Sequence, residues 1–227
     1  MSTARATRAG HGDREGVPEW FAPLLHVAAT ARAGDLSSFT PPPGHHRRSA
    51  VLLLFGEGAG GPDVLLTERA AGLRAHPGQV AFPGGRVETT DAGPAAAAVR
   101  EAREETGLDE AGVVVTGTLP DLYLPVSDYA VTPVLAWWRV PSPVDAVDRT
   151  EVARAVRVPV AELVDPAHRF LVPHPSGWVG PGFEASGLFV WGFTAGVLDR
   201  VFALAGWERP WSRDRLQPVP ALAEGAP

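Results

Sequence analysis

The sequence predicts an α/β fold in which a mixed β-sheet lies between layers of helices. Apolar runs of strand length alternate along the chain with segments whose apolar residues recur at helical spacing. Hydrophobic residues make up 45% of the chain and charged residues 20%, which is the range of an ordinary globular protein. The 227 residues are enough for one large domain with a sizeable core.

The predicted elements follow one another from the N-terminus. Residues 1–40 are expected to form a tail and a helix over 20–33, which packs on the core or makes a contact in a homodimer. A globular domain over 41–209 follows. The last stretch, 210–227, is rich in Pro and Ala and is expected to fray.

Apolar runs bounded by Gly and Pro predict the strands of the domain. We expect strands over 49–55, 64–67, 112–119, 131–140, 151–158 and 188–190. Apolar residues at helical spacing predict helices over 94–106, 159–164 and 191–206. Pro94 suits the first position of a helix and Gly107 suits the residue just past its end.

The composition excludes several kinds of chemistry. The chain has no Cys, so a disulfide scaffold, a Cys-based zinc site and a thiol nucleophile are excluded. Every basic side chain is Arg, so a Schiff-base Lys and a P-loop Lys are excluded too. The net charge of -6 and the lack of a basic stripe argue against a nucleic-acid partner.

The sequence also indicates where the protein works. No apolar run reaches the roughly 18 residues that span a membrane. The stretch MSTARATRAGHGD at the N-terminus lacks the apolar segment of a secretory signal. We therefore expect a cytoplasmic protein with a small-molecule substrate and no membrane partner. An anionic ligand would need local Arg or a metal to hold it against this acidic protein.

The most informative segment is the end of the predicted helix over 94–106, which reads REAREET. At 100° per residue Glu101 and Glu105 lie one above the other, and Glu104 lies within one turn of Glu101. Like charges at this spacing cost about 0.2–0.5 kcal/mol. A solvated charged face is one interpretation, and a bound divalent cation such as Mg²⁺ is the other. The upstream Gly84-Gly85 pair favours the cation, because backbone groups there can approach a metal or phosphate closely.

This stretch resembles the Nudix box, a pattern of Gly, acidic, Arg-Glu and Glu-Glu residues at set spacing. The second half of the box is matched by Arg100, Glu101, Glu104, Glu105, Gly107 and Leu108. Gly85 matches the opening Gly. The segment departs from the box at Ala92, where a Glu is usual, and Asp91 is the expected substitute.

A second motif, LLTERAAGLRAHPGQVAFPGG over 65–85, lies directly upstream. It is similar to the extra motif of the coenzyme A pyrophosphatase branch of Nudix hydrolases. The matching positions are Leu65, Leu66, Thr67, Arg69, Ala70, Arg74, Gly78, Phe82, Pro83, Gly84 and Gly85. That branch also tends to have a box one residue longer with Asp in place of Glu. The segments over 127–134 and 189–198 are similar to the same branch, so the resemblance covers about 50–206.

The resemblance implies a Nudix-like α/β/α sandwich with a mixed β-sheet, and a Nudix hydrolase domain over 41–209. It implies hydrolysis of the pyrophosphate bond of coenzyme A with Mg²⁺ or Mn²⁺. The products would be 3′-phospho-AMP and 4′-phosphopantetheine, and acyl or oxidised coenzyme A are further expected substrates.

The same resemblance implies which residues act. The metal ligands would be Glu101, Glu104, Glu105 and the carbonyl oxygen of Gly85. Arg100 would brace the carboxylates by charge-assisted hydrogen bonds. The general base is left open between Glu104 and Glu151. An exposed residue at the start of a strand is the other interpretation of Glu151.

Substrate contacts are expected from the upstream motif and from one aromatic residue. Arg69 and Arg74 are candidates for contacting phosphate, because Arg can bind a phosphate through two hydrogen bonds. His76 and Gln79 either line the same loop or are ordinary loop residues. Tyr129 is a candidate for stacking on adenine. Core packing is favoured for Trp137, Trp138 and Trp191.

Two other functions fit part of the sequence. A Nudix hydrolase of another nucleoside diphosphate derivative, such as NADH or ADP-ribose, has the same box, and only the upstream motif favours coenzyme A. A non-catalytic binding module with the Nudix fold is expected to have damaged carboxylates. All three helix carboxylates are present here, which favours an enzyme.

Overall fold

The computed structural model describes residues 16–37, 39, 47–73, 76–125, 127–174 and 177–220. The helices in this part of the chain are α1 (Ala22–Thr30), α2 (Ala33–Leu36), α3 (Pro94–Thr106), α4 (Val160–Leu163) and α5 (Gly192–Leu204). The strands are β1 (Arg47–Gly58), β2 (Gly61–Arg69), β3 (Val80–Ala81), β4 (Gly84–Arg86), β5 (Val113–Thr118), β6 (Leu122–Leu124), β7 (Tyr129–Trp138), β8 (Val152–Pro159), β9 (Arg169–Pro173), β10 (Val179–Ala185) and β11 (Leu188–Val190). Within these ranges, no helix has the length and apolar character needed to cross a membrane.

β1 is the central strand of an eight-stranded mixed sheet. β7 pairs with it in parallel along most of its length, whereas β2 and β4 share its other edge, both antiparallel. β5 and β6 extend the sheet from β7, and β3 and β8 extend it from β2. Because β2 and β4 share one edge, the chain that follows β2 returns to the start of β1. This return brings Gly84 and Gly85 beside Val51 and Ala50.

Alternation along β1 gives the sheet two apolar faces. Leu52 and Leu54 are fully buried against the alanine side of α3. Leu53 and Phe55 point the opposite way, into a larger core shared with α1 and α5. The predicted arrangement, a mixed sheet between helix layers, is therefore confirmed.

α3 has the bounds that the sequence predicts. It begins at Pro94, and Gly107 follows it in the left-handed conformation with φ 69°. Ala97, Ala98 and Ala102 form its buried side, so the helix backbone approaches the sheet closely. The other predicted strands, and the helices over 159–164 and 191–206, are also confirmed, with their ends shifted by a few residues.

A second sheet contains β9, β10 and β11 in antiparallel order and packs against α5. The sequence analysis did not predict β9 and β10, because their Gly and Pro residues are typical of loops. Gly182 of β10 is required by packing instead: a Cβ there would lie 2.5 Å from Phe170 and 2.6 Å from Val172.

The end of the chain lies along β9 up to residue 220, whereas the sequence predicts that it frays. Leu171 donates its N–H to the carbonyl of Arg215 and accepts from the N–H of Gln217. Val219 is buried against the outer side of the second sheet. These contacts join residues far apart in sequence, so local composition gave no sign of them.

The N-terminal segment packs on the core, which is one of the two arrangements expected for it; the other was a contact in a homodimer. The predicted single helix is divided into a short 3₁₀ turn, α1 and α2. Phe21, Leu24 and Val27 are buried between the large sheet and α5. Arg200 of α5 also donates a hydrogen bond of 2.6 Å to the carbonyl of Asp35.

Candidate active site

The candidate site is built where the acidic end of α3 meets β4. The carbonyls at this end of the helix have partners: Val147 N–H donates to Glu105 at 3.1 Å, and Asp145 N–H donates to Thr106 at 3.1 Å. These two bonds satisfy groups that a helix C-terminus leaves unpaired. They also fix the last turn of α3, on which the carboxylates stand.

Glu105 points from α3 to the backbone of β4. Its Oε2 accepts a hydrogen bond of 3.2 Å from the N–H of Gly84. Burial is the main cause that raises the pKa of Glu105 to about 7, and the nearby charges of Glu101 and Glu151 contribute to this rise. The Gly84 N–H and the charge of Arg69 act in the opposite direction. Glu105 is therefore a half-buried carboxylate whose surroundings favour its neutral form.

Glu101 lies one turn before Glu105 and rests against Gly85. A Cβ on Gly85 would lie 2.4–2.6 Å from the carboxylate atoms of Glu101, so only Gly leaves room for them. Burial also raises the pKa of Glu101, and the charges of Glu104 and Glu88 add to the rise, whereas Arg100 opposes it. Two carboxylates of raised pKa thus face the same backbone segment.

Arg100 contacts the carboxylates on the side formed by Glu104 and the Arg86 carbonyl, which we call the outer flank. Its Nη1 lies 3.1 Å from Glu101 Oε1 and 2.9 Å from Glu104 Oε2, and its Nη2 donates to the carbonyl of Arg86 at 3.1 Å. Glu104 is half exposed, and its carboxylate contacts the Arg100 guanidinium. Arg100 therefore braces the carboxylates in the way the sequence predicts, and Glu104 contributes to the brace.

Asp91 completes the brace from the loop before α3. Its two oxygens accept from Arg100 Nε at 3.0 Å and Nη2 at 3.1 Å, which is a bidentate pair. The N–H of Glu88 donates a further bond of 2.8 Å to Asp91. The guanidinium and this N–H hold the pKa of Asp91 below its usual range. Asp91 thus orients Arg100 and does not itself face Gly84.

Arg69 ends β2 and faces Glu105, whose pKa its charge lowers. Its Nε is buried, and no hydrogen-bond partner for this atom is present in the described ranges. The backbone is well fixed: Arg69 N–H donates to the carbonyl of Gln79 at 3.0 Å, and its carbonyl accepts from Gly78 at 3.2 Å. Arg69 is therefore a positioned cation available to an anionic ligand.

Glu151 directly precedes β8. The segment that contains it contacts α3 through Val147 and the residue after β2 through the carbonyl of Glu151. Asp148 caps the turn in this segment by accepting from the N–H and hydroxyl of Thr150 at 2.8 and 2.7 Å. The carbonyl of Glu151 accepts from Ala70 N–H at 2.9 Å. The side chain is exposed, yet its charge raises the pKa of Glu105. The turn thus brings Glu151 close enough to act on the charge of Glu105, as Arg69 also does.

The other predicted substrate residues are placed differently. His76 is exposed with φ 56°, and Gln79 follows it at the edge of the loop. Tyr129 pairs with Arg47, whose guanidinium lies 5.7 Å from the ring centroid, on the face of β1 opposite α3. Arg74 lies outside the described residues. Its role and that of Tyr129 stay predictions.

The predicted tryptophans differ in environment. Trp138 is fully buried beneath α3, and Trp137 is partly buried against the core on the other face, so core packing is confirmed for both. Trp191 is partly buried on the outer side of the second sheet, with its ring stacked on His174 at 5.9 Å.

The oxygen ligands at this site suit a hard divalent cation. Among the described residues, no three acidic or imidazole groups already form a metal-binding cluster. Mg²⁺ is usually held by one or two carboxylates together with waters and substrate phosphates. The space that Gly85 leaves for Glu101, and the burial of Glu105, make these two side chains the ones that could hold the ion. The carbonyl of Gly85 and Glu104 stay predicted ligands.

Gly84 is the functional residue whose role the sequence analysis missed. The sequence analysis gives it as part of the upstream motif and of a Gly pair whose backbone can approach a metal or phosphate, whereas its N–H is the hydrogen-bond partner of Glu105. Its φ is 156°, and a Cβ would lie 2.3 Å from the carbonyl oxygen of Ala50. The Gly-Gly pair was the available signal, but the partner is 21 residues away and only the fold shows it.

Replacing Asp91 by Asn should weaken metal binding in a folded protein. Arg100 loses a charged partner and orients Glu101 less well, and loss of such supporting contacts typically costs about 10–100-fold in metal affinity. Calorimetric titration with Mn²⁺ measures this. Glu110→Gln is the control, because Glu110 makes only an exposed pair with Arg103 at 3.7 Å. Equal Mn²⁺ affinity in Asp91→Asn and wild type would contradict the bracing role.

Gly85→Ala should displace the Glu101 carboxylate with little loss of stability, because the end of a flexible side chain can move. We expect Mn²⁺ affinity to fall by about tenfold or more, which is about 1.4 kcal/mol. Gly72→Ala is the matched control, since nothing lies within 4 Å of a Cβ there. Circular dichroism should show that both variants are folded. Unchanged Mn²⁺ affinity in Gly85→Ala would remove Glu101 from the metal site.

The chain is similar to known proteins of one family. The NUDIX domain family model matches residues 45–177. An uncharacterized Nudix hydrolase, NudL of Cronobacter sakazakii, is 41% identical over 155 residues, which are 66% of this chain and 78% of that protein. NudL of Escherichia coli K12, also called uncharacterized, is 39% identical over 146 residues, or 60% of this chain and 72% of that protein. The crystal structure of the Nudix hydrolase RenU from M. smegmatis is 22% identical and covers 74% of this chain and 91% of its own, with a TM-score of 0.48. By the extent of the family match and the identity to the NudL proteins, this chain belongs to the Nudix family.

Proposed function

We propose that this protein hydrolyses the diphosphate bond of coenzyme A, and of its acyl and oxidised forms, with Mg²⁺ or Mn²⁺. The observation that carries the proposal is the pair of half-buried carboxylates, Glu101 and Glu105, with the charge of Arg69 acting on Glu105. A diphosphate ester is the kind of substrate that needs both features. Its phosphorus is shielded by negative oxygens, so charge must be neutralised before water can attack.

The carboxylates and Arg69 would divide the binding of the diphosphate between them. A cation held by Glu101 and Glu105 would supply charge neutralisation and lower the pKa of a bound water. Arg69 would bind a phosphate oxygen directly. Its donors include the buried Nε, which has no hydrogen-bond partner among the described residues. Arg100 and Asp91 would keep Glu101 in place throughout, because their contacts lie on the outer flank.

Glu151 is the better of the two candidates for the general base. Glu104 accepts a hydrogen bond of 2.9 Å from Arg100, which engages its carboxylate. Glu151 is exposed on a fixed turn, and its charge acts on Glu105. Its carboxylate would take the proton of the attacking water as the new P–O bond forms. The bond from that phosphorus to the bridging oxygen breaks, and the bridging oxygen leaves with the other phosphate.

Coenzyme A is favoured over other diphosphates by the motif over 65–85. Within it, Arg69 faces the carboxylates, and Gln79 fixes the backbone of Arg69 through its carbonyl. The motif therefore forms part of the wall of the site. NADH and ADP-ribose carry the same diphosphate group and are the substrates to compare.

A hydrolysis panel with separated products tests the proposal. It contains coenzyme A, acetyl-coenzyme A, NADH, ADP-ribose and a nucleoside triphosphate, each with Mg²⁺ or Mn²⁺. We expect selective release of 3′-phospho-AMP from the coenzyme A substrates. Glu105→Gln should lower this rate by about 1,000-fold or more, the upper end of what removal of one electrostatic group costs. Faster cleavage of NADH or ADP-ribose would refute coenzyme A as the substrate. No turnover of any substrate by a folded protein that binds Mn²⁺ would refute the proposal that the protein is an enzyme.

The two candidates for the base can be separated by their pH–rate profiles. Glu151→Gln should lower kcat by about 100–10,000-fold and remove the acidic limb of the profile, as expected for loss of a general base. Glu104→Gln should keep that limb, because Glu104 acts through Arg100. Mn²⁺ titration of both variants controls for loss of the metal. Loss of the acidic limb in Glu104→Gln alone would assign the base to Glu104.

A further inference from the structure

α5 lies outside the region that the family model matches, yet it contacts the substrate-binding motif directly. Thr194 on its first turn is buried, and its hydroxyl donates a hydrogen bond of 3.0 Å to the carbonyl of Val80. The two residues are 114 positions apart in sequence. This bond is therefore a specific link between the C-terminal helix and β3.

Gly192 makes the second contact. It has φ 66°, and a Cβ there would lie 3.2 Å from the side-chain nitrogen of Gln79. That distance is tighter than most real Cβ contacts, so a larger residue would push the Gln79 amide aside. The positive φ also strains any residue with a side chain. Gly192 is thus suited to the close approach of α5 to the loop.

The segment 79–81 connects these contacts to the site. The carbonyl of Gln79 accepts from Arg69 N–H at 3.0 Å, and β3 pairs with β2 next to Arg69. Gly84 is held separately, by pairing with Val51 and by the bond of 2.8 Å from Leu52 N–H to the carbonyl of Pro83. A substitution that shifts α5 should therefore move Arg69 and Gln79 more than it moves Gly84 and Glu105.

We propose that Thr194 and Gly192 are positioning residues, through which α5 sets the affinity of the site for its substrate. They touch neither metal nor substrate. They hold the segment 79–81, which holds the backbone of Arg69 and presents Gln79. The kinetic part of this inference rests on the proposed function, but the structural link does not.

Thr194→Val tests the link, because it removes only the hydroxyl. Amide hydrogen exchange of residues 79–81 should become faster. With coenzyme A and Mg²⁺, KM should rise by about fivefold or more while kcat changes little, because a displaced Arg69 would bind the ground state and the transition state less well to the same extent. Thr194→Ser retains the hydroxyl and should restore both values. A variant with higher KM and unchanged exchange, or the reverse, would overturn the proposal, as would no change in either.

Two controls separate positioning from general destabilisation. Thr116→Val removes a similar bond, 3.1 Å to the carbonyl of Leu135, on a distant edge strand. Gly196→Ala alters α5 where nothing lies within 4 Å. Neither should change KM or the exchange of residues 79–81, and a matching rise of KM in Thr116→Val would overturn the proposal.

Gly192→Ala decides the question if Thr194→Val does not fold. Its Cβ should displace Gln79 and produce the same rise of KM and the same faster exchange, and normal values in the folded variant would overturn the proposal. A wild type that cleaves no coenzyme A in the panel refutes the proposed function alone. In that case, the exchange of residues 79–81 still decides whether α5 positions this segment.

Discussion

The close packing of α3 on the Gly84–Gly85 backbone is the constraint on which the site depends. Ala98 and Ala102 give the helix a flat side, so it lies near the sheet. At Gly85 the carboxylate of Glu101 occupies the space of the missing side chain, and at Gly84 the backbone N–H donates a hydrogen bond to Glu105. Small residues on one element and long acidic residues on the other therefore produce a carboxylate pair at a backbone surface.

This packing carries an electrostatic cost that nearby cations offset in part. Burial raises the pKa of both Glu101 and Glu105, and each carboxylate is close to further negative charge. Arg100 neutralises the outer flank, where it contacts Glu101 and Glu104. On the inner flank, Arg69 is the cation that acts on Glu105. A divalent cation on the inner flank would relieve this repulsion, and its binding would stabilise the folded state by mass action.

The features that could be predicted from sequence are those set by local periodicity. The bounds of α3 follow from Pro94, Gly107 and the alanine spacing, and the clustering of its carboxylates follows from helical geometry. β10 was missed because Gly182, required by contact with Phe170, looks in the sequence like a loop residue.

Long-range contacts account for the rest of what the sequence did not reveal. Tyr129 was predicted from its residue type alone, and its face of the sheet is set by the register of β7 on β1. The hydrogen bond between Gly84 and Glu105 likewise depends on the return of the chain to the edge of β1. Neither property has a local signal in the sequence, since each is decided by which strands become neighbours.

The shifted acidic residue of the box shows how a change in spacing is absorbed. Asp is one methylene shorter than Glu, so at an unchanged position it would reach less far toward Arg100. Here Asp91 lies on a turn that two hydrogen bonds with Glu88 close. The Asp91 N–H donates to the Glu88 carbonyl at 3.1 Å, and the Glu88 N–H donates to the side-chain Oδ2 of Asp91 at 2.8 Å. The turn presents both oxygens of Asp91 to the guanidinium at 3.0 and 3.1 Å. The position of the turn therefore compensates for the shorter side chain, and the brace on Glu101 is kept.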